Sequence, residues 1–146
     1  KHYTSFNYRN PVGLYSCTFK RPWSWWFRRT VLRFHGVSSA FYVRVNGHDV
    51  GYSEDSRLPA EFDLTPYLKW FGSNKLEVEV YKHCDGTYLE DQDFFRFFGI
   101  FRNVTLKAKP DTHVEDLWIR YLYWNGELII ENDPSEQIHY SPKKYW

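Results

Sequence analysis

Alternation of apolar and polar residues is the dominant pattern along the chain. Leu76–Val80 alternates with period two, and Phe41–Val45 places its three apolar residues on one face. Such alternation predicts half-buried β-strands, because successive side chains of a strand point to opposite faces. Asn46 and Gly47 follow the second segment and predict a tight hairpin turn, since both tolerate positive φ. Asp49–Tyr52 is the expected returning strand.

Strand patterns recur over most of the chain. Five further strands are predicted: Leu14–Phe19, Thr30–Phe34, Phe101–Ala108, Val114–Leu122 and Glu127–Ile130. The helical signal is short, with Thr65 as the expected N-cap and Pro66 at the first helical position. Many short strands separated by turn signals predict an all-β fold, a β-sandwich of the jelly-roll type.

Length and charge limit the classes of protein to consider. The 146 residues fit a single domain over 1–146, with an irregular tail from about residue 132. Because the chain opens at Lys1 and contains no Met, we expect a processed or trimmed start. The 19 Lys and Arg nearly balance the 18 Asp and Glu, which argues against nucleic acid. No apolar run approaches the roughly 20 residues of a membrane-spanning helix, and no signal peptide is seen, so membrane association is not predicted and localisation stays open.

Few residues carry the patterns of known catalytic or cofactor sites. There is no glycine-rich phosphate loop and no nucleophile elbow, so no cofactor is predicted. His83, Cys84 and Asp85 stand side by side, but neighbours on an extended chain point in different directions, which disfavours a metal site. For Cys17 and Cys84 we favour two free, mostly buried thiols over one disulfide.

The densest polar segment is Asp85–Asp93, with four carboxylates in nine residues. Neighbours on one loop cannot easily face each other across a glycosidic bond, as the two carboxyl groups of a glycosidase must. Two interpretations stay open for this segment: a solvated loop, or a contact to a ligand or cation.

Several longer motifs occur in a fixed order. They are Asn10–Gly13, Gly36–Gly47, Gly51–Ser53, Pro59–Thr65, Asp85–Asp93 and Gly99–Arg102. Together, over about residues 10–116, they resemble the N-terminal sugar-binding domain of the family 2 glycoside hydrolases, and specifically of their β-galactosidases. The resemblance implies a galactose-binding-domain-like jelly roll beside a (β/α)8 barrel. It also implies that both catalytic Glu residues belong to that barrel, so we expect no enzymatic activity from this chain alone.

The resemblance assigns two site residues. By motif, Asn10 and Asp93 fall where the family holds the hydroxyls of galactose, and Asp93 also resembles a ligand of a monovalent cation whose other ligands come from the barrel. The residue types suit the role, since a carboxylate accepts two O–H bonds and an amide both donates and accepts. Asn10 also precedes Pro11, and a purely structural turn is its alternative interpretation.

Aromatic residues are unusually frequent, at 21% of the chain. Two runs are dense in aromatic residues, the first within residues 23–27 and the second within residues 94–98. Phe98 stands where the family has a small residue. A strand turns only alternate side chains inward, so neither run is expected to be entirely core. The candidate partner-binding residues are Trp23, Trp25, Trp26, Phe27, Phe94, Phe95, Phe97 and Phe98.

Three interpretations of these aromatic runs remain. They face neighbouring domains of a longer enzyme, they form a stacking platform of a free-standing carbohydrate-binding module, or they bind another protein, as on an engineered scaffold. We favour a protein partner, because exposed aromatic patches mark interaction sites. Binding of free sugar is expected to be weak or absent, since half of the pocket would lie in the barrel.

Overall fold

β-Strands dominate the parts of the chain that the computed structural model describes, which are residues 9–90, 92–93, 95–114, 119–124 and 127–132. The strands are β1 Val12–Phe19, β2 Arg29–Phe34, β3 Val37–Ser38, β4 Ala40–Val45, β5 His48–Ser53, β6 Ala60–Asp63, β7 Asn74–Tyr81, β8 Gly99–Ile100, β9 Val104–Lys109, β10 Ile119–Trp124 and β11 Glu127–Asn132. Short 3-10 turns cover Trp23–Trp25, Thr65–Tyr67 and Asp85–Tyr88. The described residues contain no α-helix, and the all-β prediction is confirmed.

The chain divides into two compact units, residues 1–108 and 109–146. The first contains a four-stranded sheet in the order β1-β7-β4-β5, a three-stranded sheet in the order β6-β2-β9, and the short β3–β8 pair. In the second, β10 and β11 form an antiparallel pair. The single domain over 1–146 stays a prediction, and the tail predicted to be irregular lies almost entirely outside the described residues.

The core of the first unit lies between its two larger sheets. Phe41 of β4, Phe34 of β2 and Phe62 of β6 pack together with ring centroids 4.8 to 6.0 Å apart. Val43 and Val45 are fully buried on the same side of β4 as Phe41. The apolar face predicted from the alternation is therefore confirmed as the core face.

The predicted hairpin turn is also confirmed. Asn46 has φ 54° and Gly47 has φ 85°, which the turn between β4 and β5 requires. The Asn46 side chain donates to Tyr67 O and to Asn74 Oδ1, both at 2.9 Å. It also accepts a hydrogen bond of 3.0 Å from Lys75 N. This side chain therefore joins the turn to the segment that leads into β7.

The predicted helical segment is a 3-10 turn, and its expected cap is wrong. The N-cap is Leu64. The Thr65 hydroxyl instead accepts from Thr30 N and donates to Asp63 Oδ1. Burial alone would raise the pKa of Asp63, but hydrogen bonds from Thr65 and Arg29 outweigh it and hold that pKa below its usual value.

Asp63→Asn is expected to lower the free energy of unfolding at neutral pH by about 1 kcal/mol, because an amide accepts weaker hydrogen bonds than a carboxylate. The half-exposed ion pair with Arg29 adds little. Since the pKa of Asp63 is lower in the folded state, its contribution is present above the unfolded value of about 3.9 and is lost as pH falls through the folded value. Urea unfolding should show the difference at neutral pH and lose it in strong acid. Asp49→Asn, at a side chain 80% exposed, is the control and should change little.

The two larger sheets differ in width. Gly51 of β5 lies against the Phe62 ring of β6, so these strands overlie each other at one side. At the other side β1 is the edge strand of the four-stranded sheet, and the facing sheet has only three strands. Part of β1 is therefore not covered by the facing sheet. Tyr15 and Cys17 are exposed, although they pair with the buried Val78 and Leu76 of β7.

Both cysteines are free thiols. Cys84 is half-buried, whereas Cys17 is exposed. The expectation that both are mostly buried is therefore wrong for Cys17, because no strand among the described residues covers this part of β1.

Candidate functional site

Asn10 lies just before β1 and is fixed to the chain that leaves β7. Its Nδ2 donates to His83 O at 2.6 Å, and its Oδ1 accepts from His83 N at 3.0 Å. Next to it, Lys82 N donates to Pro11 O at 3.0 Å. Residues 73 positions apart in sequence are thereby held together at the end of the sheet where β1 begins and β7 ends.

The Asn10 amide still has capacity for a ligand. An amide offers two N–H donors and two acceptor lone pairs, and His83 uses one of each. The residue is exposed, so a ligand can reach its side chain. The turn role and the ligand role of Asn10 are therefore compatible.

The carboxylates of the acidic segment Asp85–Asp93 differ in their contacts. Glu90 accepts a hydrogen bond of 3.2 Å from Ser56 N, so it anchors the loop. Asp93 is exposed. Asp91 lies outside the described residues.

Of the adjacent residues His83, Cys84 and Asp85, for which a metal site is disfavoured, only two lie in one group of potential ligands within the described ranges. Glu54, Cys84 and Asp85 each place a ligand atom within 4.8 Å of the others, while neither His83 nor Asp93 belongs to a group of three such ligands in the described residues. The Cys84 sulfur accepts a hydrogen bond of 2.9 Å from Ser39. The described residues therefore do not by themselves form the cation site that the resemblance assigns to Asp93.

His83 lies beside Asn10 and is half-buried. Burial, followed by the positive charges of Lys82 and Arg96, lowers the pKa of its imidazole. The charged form of the His83 imidazole is therefore disfavoured beside Asn10.

The second aromatic run forms an exposed loop beside this end of the sheet, which we name the phenylalanine loop: Phe95, Phe97 and Phe98. Phe95 and Phe97 are 83% and 78% exposed. Phe98 is 37% exposed and lies near Gly13, with the Lys82 ammonium 6.0 Å from its ring centre. Phe94 lies outside the described residues. The run is therefore not entirely core, as expected, but it lies in a loop and not in a strand, so alternation along a strand is not the reason.

The first aromatic run is joined by two residues that the sequence reasoning missed. Trp23, Trp26, Trp70 and Phe71 have ring centres 4.9 to 6.1 Å apart in four contacts, and we name this cluster the aromatic cap. Phe27 beside it is 88% exposed, whereas Trp25 is half-buried. The adjacent pair of large aromatics in a turn-rich segment, ending at Gly72, is the signal that could have identified Trp70 and Phe71.

The aromatic cap and the phenylalanine loop lie at opposite ends of β1. Val12 pairs with Tyr81 at the phenylalanine-loop end, and Phe19 pairs with Asn74 at the cap end. A strand of this length spans about 25 Å. The two predicted partner-binding runs therefore form separate surfaces.

Comparison with known proteins gives the family. The family model described as "Glycosyl hydrolases family 2, sugar binding domain" matches residues 3–110. The chain belongs to this family. The matched model describes its non-catalytic sugar-binding part, and the match includes both Asn10 and Asp93.

Curated relatives of this family 2 sugar-binding domain are β-galactosidases. It is 56% identical over 110 residues to the β-galactosidase large subunit of Latilactobacillus sakei, which covers 75% of the chain and 17% of that protein. It is 48% identical over 128 residues to the β-galactosidase of Priestia megaterium, covering 85% of the chain and 12% of that protein. The chain thus spans less than a fifth of the length of these relatives.

Solved structures of two β-glucuronidases share the fold. The Bacteroides uniformis enzyme has a TM-score of 0.71 at 27% identity, over 82% of this chain and 15% of its own. The enzyme from an uncultured Clostridium has a TM-score of 0.69 at 26% identity, over 87% and 27% of the two chains. Together with the family match, the shared fold confirms the predicted β-sandwich sugar-binding domain.

No helix in the described part of the chain is both long and apolar enough to cross a bilayer.

Proposed function

We propose that this family 2 sugar-binding domain contributes Asn10 and Asp93 to the galactose site of a longer β-galactosidase. The identity of 48 to 56% to curated β-galactosidases carries the proposal. The geometry supports it in two ways. Asn10 is exposed and positioned by two hydrogen bonds that leave its amide able to bind a hydroxyl, and Asp93 is an exposed carboxylate.

The domain's part in the reaction would be binding and orientation. A carboxylate and an amide fix a sugar by accepting and donating hydrogen bonds to its hydroxyls. The family model that the chain matches describes a sugar-binding part and no catalytic one. Catalysis would therefore depend on other parts of the longer protein.

The test is titration of the 15N-labelled chain with galactose, followed by NMR. We expect shifts of the Asn10 side-chain amide and of the Asp93 backbone amide, with a dissociation constant of about 10 mM or weaker, since an open surface buries little of a sugar. Asp93→Asn, which keeps the shape of the side chain, should abolish these shifts, while Asp85→Asn should preserve them. Unchanged shifts in Asp93→Asn, or shifts confined to other residues, would refute the proposal.

The aromatic cap supports a second candidate function, binding of another protein. Trp23, Trp70 and Phe71 are 60 to 75% exposed, and their rings already pack against one another or against Trp26. Exposed aromatic rings that are preorganised resemble the residues that dominate protein interfaces. This function is independent of sugar binding, because the cap lies at the other end of β1 from Asn10.

A random peptide library panned against the wild-type chain tests this function. The control is a variant with Trp23→Ser and Trp70→Ser, used to remove peptides that bind elsewhere. Both side chains are more than half exposed, so the variant should keep the fold. We expect peptides that bind the wild type and not the variant. A panning that yields none would rule out the cap as a protein-binding surface.

A further inference from the structure

Two loops build the aromatic cap at one end of the sandwich. Trp23 and Trp26 follow β1, and Trp70 and Phe71 precede β7. The Trp23 and Trp26 rings stack with an interplanar angle of 11° and centres 4.9 Å apart. The result is a continuous ring surface made from both loops.

One arginine backs this surface. Arg21 Nη2 donates to Trp25 O at 3.1 Å and to Trp26 O. Its guanidinium also lies 5.2 Å from the centre of the Trp70 ring. A single side chain therefore links the two loops, so that little ordering is needed when a partner binds.

Positive charge is concentrated around the cap. The segments 19–30 and 64–76 contain six of the 19 Lys and Arg residues and none of the 18 Asp and Glu residues, which leaves 13 cations against 18 acids elsewhere. Arg29 pairs with Asp63 at 3.0 Å, and Lys75 pairs with Glu77 at 2.6 Å.

The other four cations of these segments form no ion pair within the described ranges, and they are Lys20, Arg21, Arg28 and Lys69. Three of them, all except Arg21, are exposed. Arg28 lines the same surface depression as Trp23 and Trp26, and Lys20 and Lys69 are the sequence neighbours of Arg21 and Trp70. The cap is thus an apolar centre with a cationic rim, in a chain that is otherwise net acidic.

We propose that the aromatic cap binds an acidic protein segment, with apolar side chains on the rings and carboxylates on the cationic rim. The inference rests on the proposed protein-binding function and names the chemistry of its partner. Opposite charge at the rim steers encounter and suppresses wrong partners. A second copy of the cap is disfavoured by repulsion between like charges.

Other anionic partners fit the geometry less well. Rings that insert into a bilayer project into it from an amphipathic surface, whereas these rings pack on one another. Single-stranded nucleic acid also stacks its bases on aromatic rings, but it requires a groove of cations that follows its backbone, and this rim has three exposed cations. A neutral sugar gains nothing from the rim charge.

The experiment measures the net charge of the cap-dependent peptides, which are those that bind the wild-type chain and not the variant with Trp23→Ser and Trp70→Ser. We expect them to be net negative and to contain aromatic or leucine residues. For a selected peptide, calorimetry should show roughly tenfold weaker binding to a variant with Lys20→Glu and Arg28→Glu. Raising NaCl from about 50 mM to about 300 mM should also weaken binding.

Matched controls distinguish the effect of the rim charges on binding from the effect of a charge change elsewhere on the chain. Arg9→Glu makes one charge reversal at the other end of β1 and should leave binding unchanged, whereas the single Lys20→Glu variant, with the same change in net charge, should weaken it. Vesicles of phosphatidylcholine and phosphatidylserine, and an oligothymidine, are the competing probes. Tighter cap-dependent binding of either probe would overturn the assignment to a protein.

The outcomes also separate the two proposals. Neutral or basic cap-dependent peptides, or binding insensitive to the Lys20 and Arg28 reversals, would overturn the acidic partner and leave protein binding intact. An absence of cap-dependent peptides would overturn both.

Discussion

Phe41→Ala is expected to lower the free energy of unfolding by about 3 to 5 kcal/mol, the range for a buried Phe truncated to Ala. Phe41 is 1% exposed and contacts Phe34 and Phe62 of the facing sheet. Its removal leaves a cavity between the two sheets, which they could close only by moving toward each other against the side chains that still separate them. Urea or thermal unfolding of the purified chain measures the loss.

Tyr42→Ala on the same strand is the matched control. Tyr42 is 44% exposed on the opposite face, where its ring contacts Tyr52 and Tyr81. Cross-strand pairs of this kind contribute about 0.2 to 1 kcal/mol each. Equal losses for Phe41→Ala and Tyr42→Ala would contradict the assignment of the core to the Phe41 face.

Asn46→Ala is expected to lower the free energy of unfolding by about 3 to 5 kcal/mol, and the loss has two sources. The three side-chain hydrogen bonds of Asn46 contribute about 1 kcal/mol each. Alanine at φ 54° adds about 1 kcal/mol of backbone strain. Because Asn46 bonds Tyr67 and Asn74 on either side of Trp70, the variant should also loosen the aromatic cap, which tryptophan fluorescence reports.

Asn46→Gly separates the two sources of the loss. Glycine adopts positive φ without strain, so this variant should lose the hydrogen bonds and keep the turn. We expect it to be more stable than Asn46→Ala by about 1 kcal/mol. An Asn46→Ala variant with wild-type stability would show that the side-chain hydrogen bonds do not hold the segment before β7.

The central strands are predictable from local pattern. β4 and β7 are covered on one face only, so the burial of Phe41, Val43 and Val78 repeats with the period of the strand itself. The turn at Asn46 and Gly47 is predictable for a similar reason, because it depends only on which residues tolerate positive φ. β1 was also predicted as a strand, but its burial does not alternate, because an edge strand is buried only where the opposite sheet reaches it.

The site depends on contacts between distant residues, which no local pattern contains. The Asn10 and His83 pair is separated by 73 positions, and Trp26 and Trp70 meet only after β1 and β7 pair. Family resemblance identified Asn10 and Asp93 as candidates. It could not identify the aromatic cap, because Trp70 and Phe71 belong to no motif that carried the resemblance.

The uneven width of the two sheets has a consequence for the redox behaviour of the domain. Cys17 lies on the part of β1 that extends beyond the facing sheet, so oxidants and thiols of other molecules reach its sulfur. Under oxidising conditions two domains can be joined there by a disulfide without any contact at the cap. Measurements of partner binding should therefore include a reductant or use a Cys17→Ser variant, so that a disulfide-linked dimer is not counted as non-covalent binding.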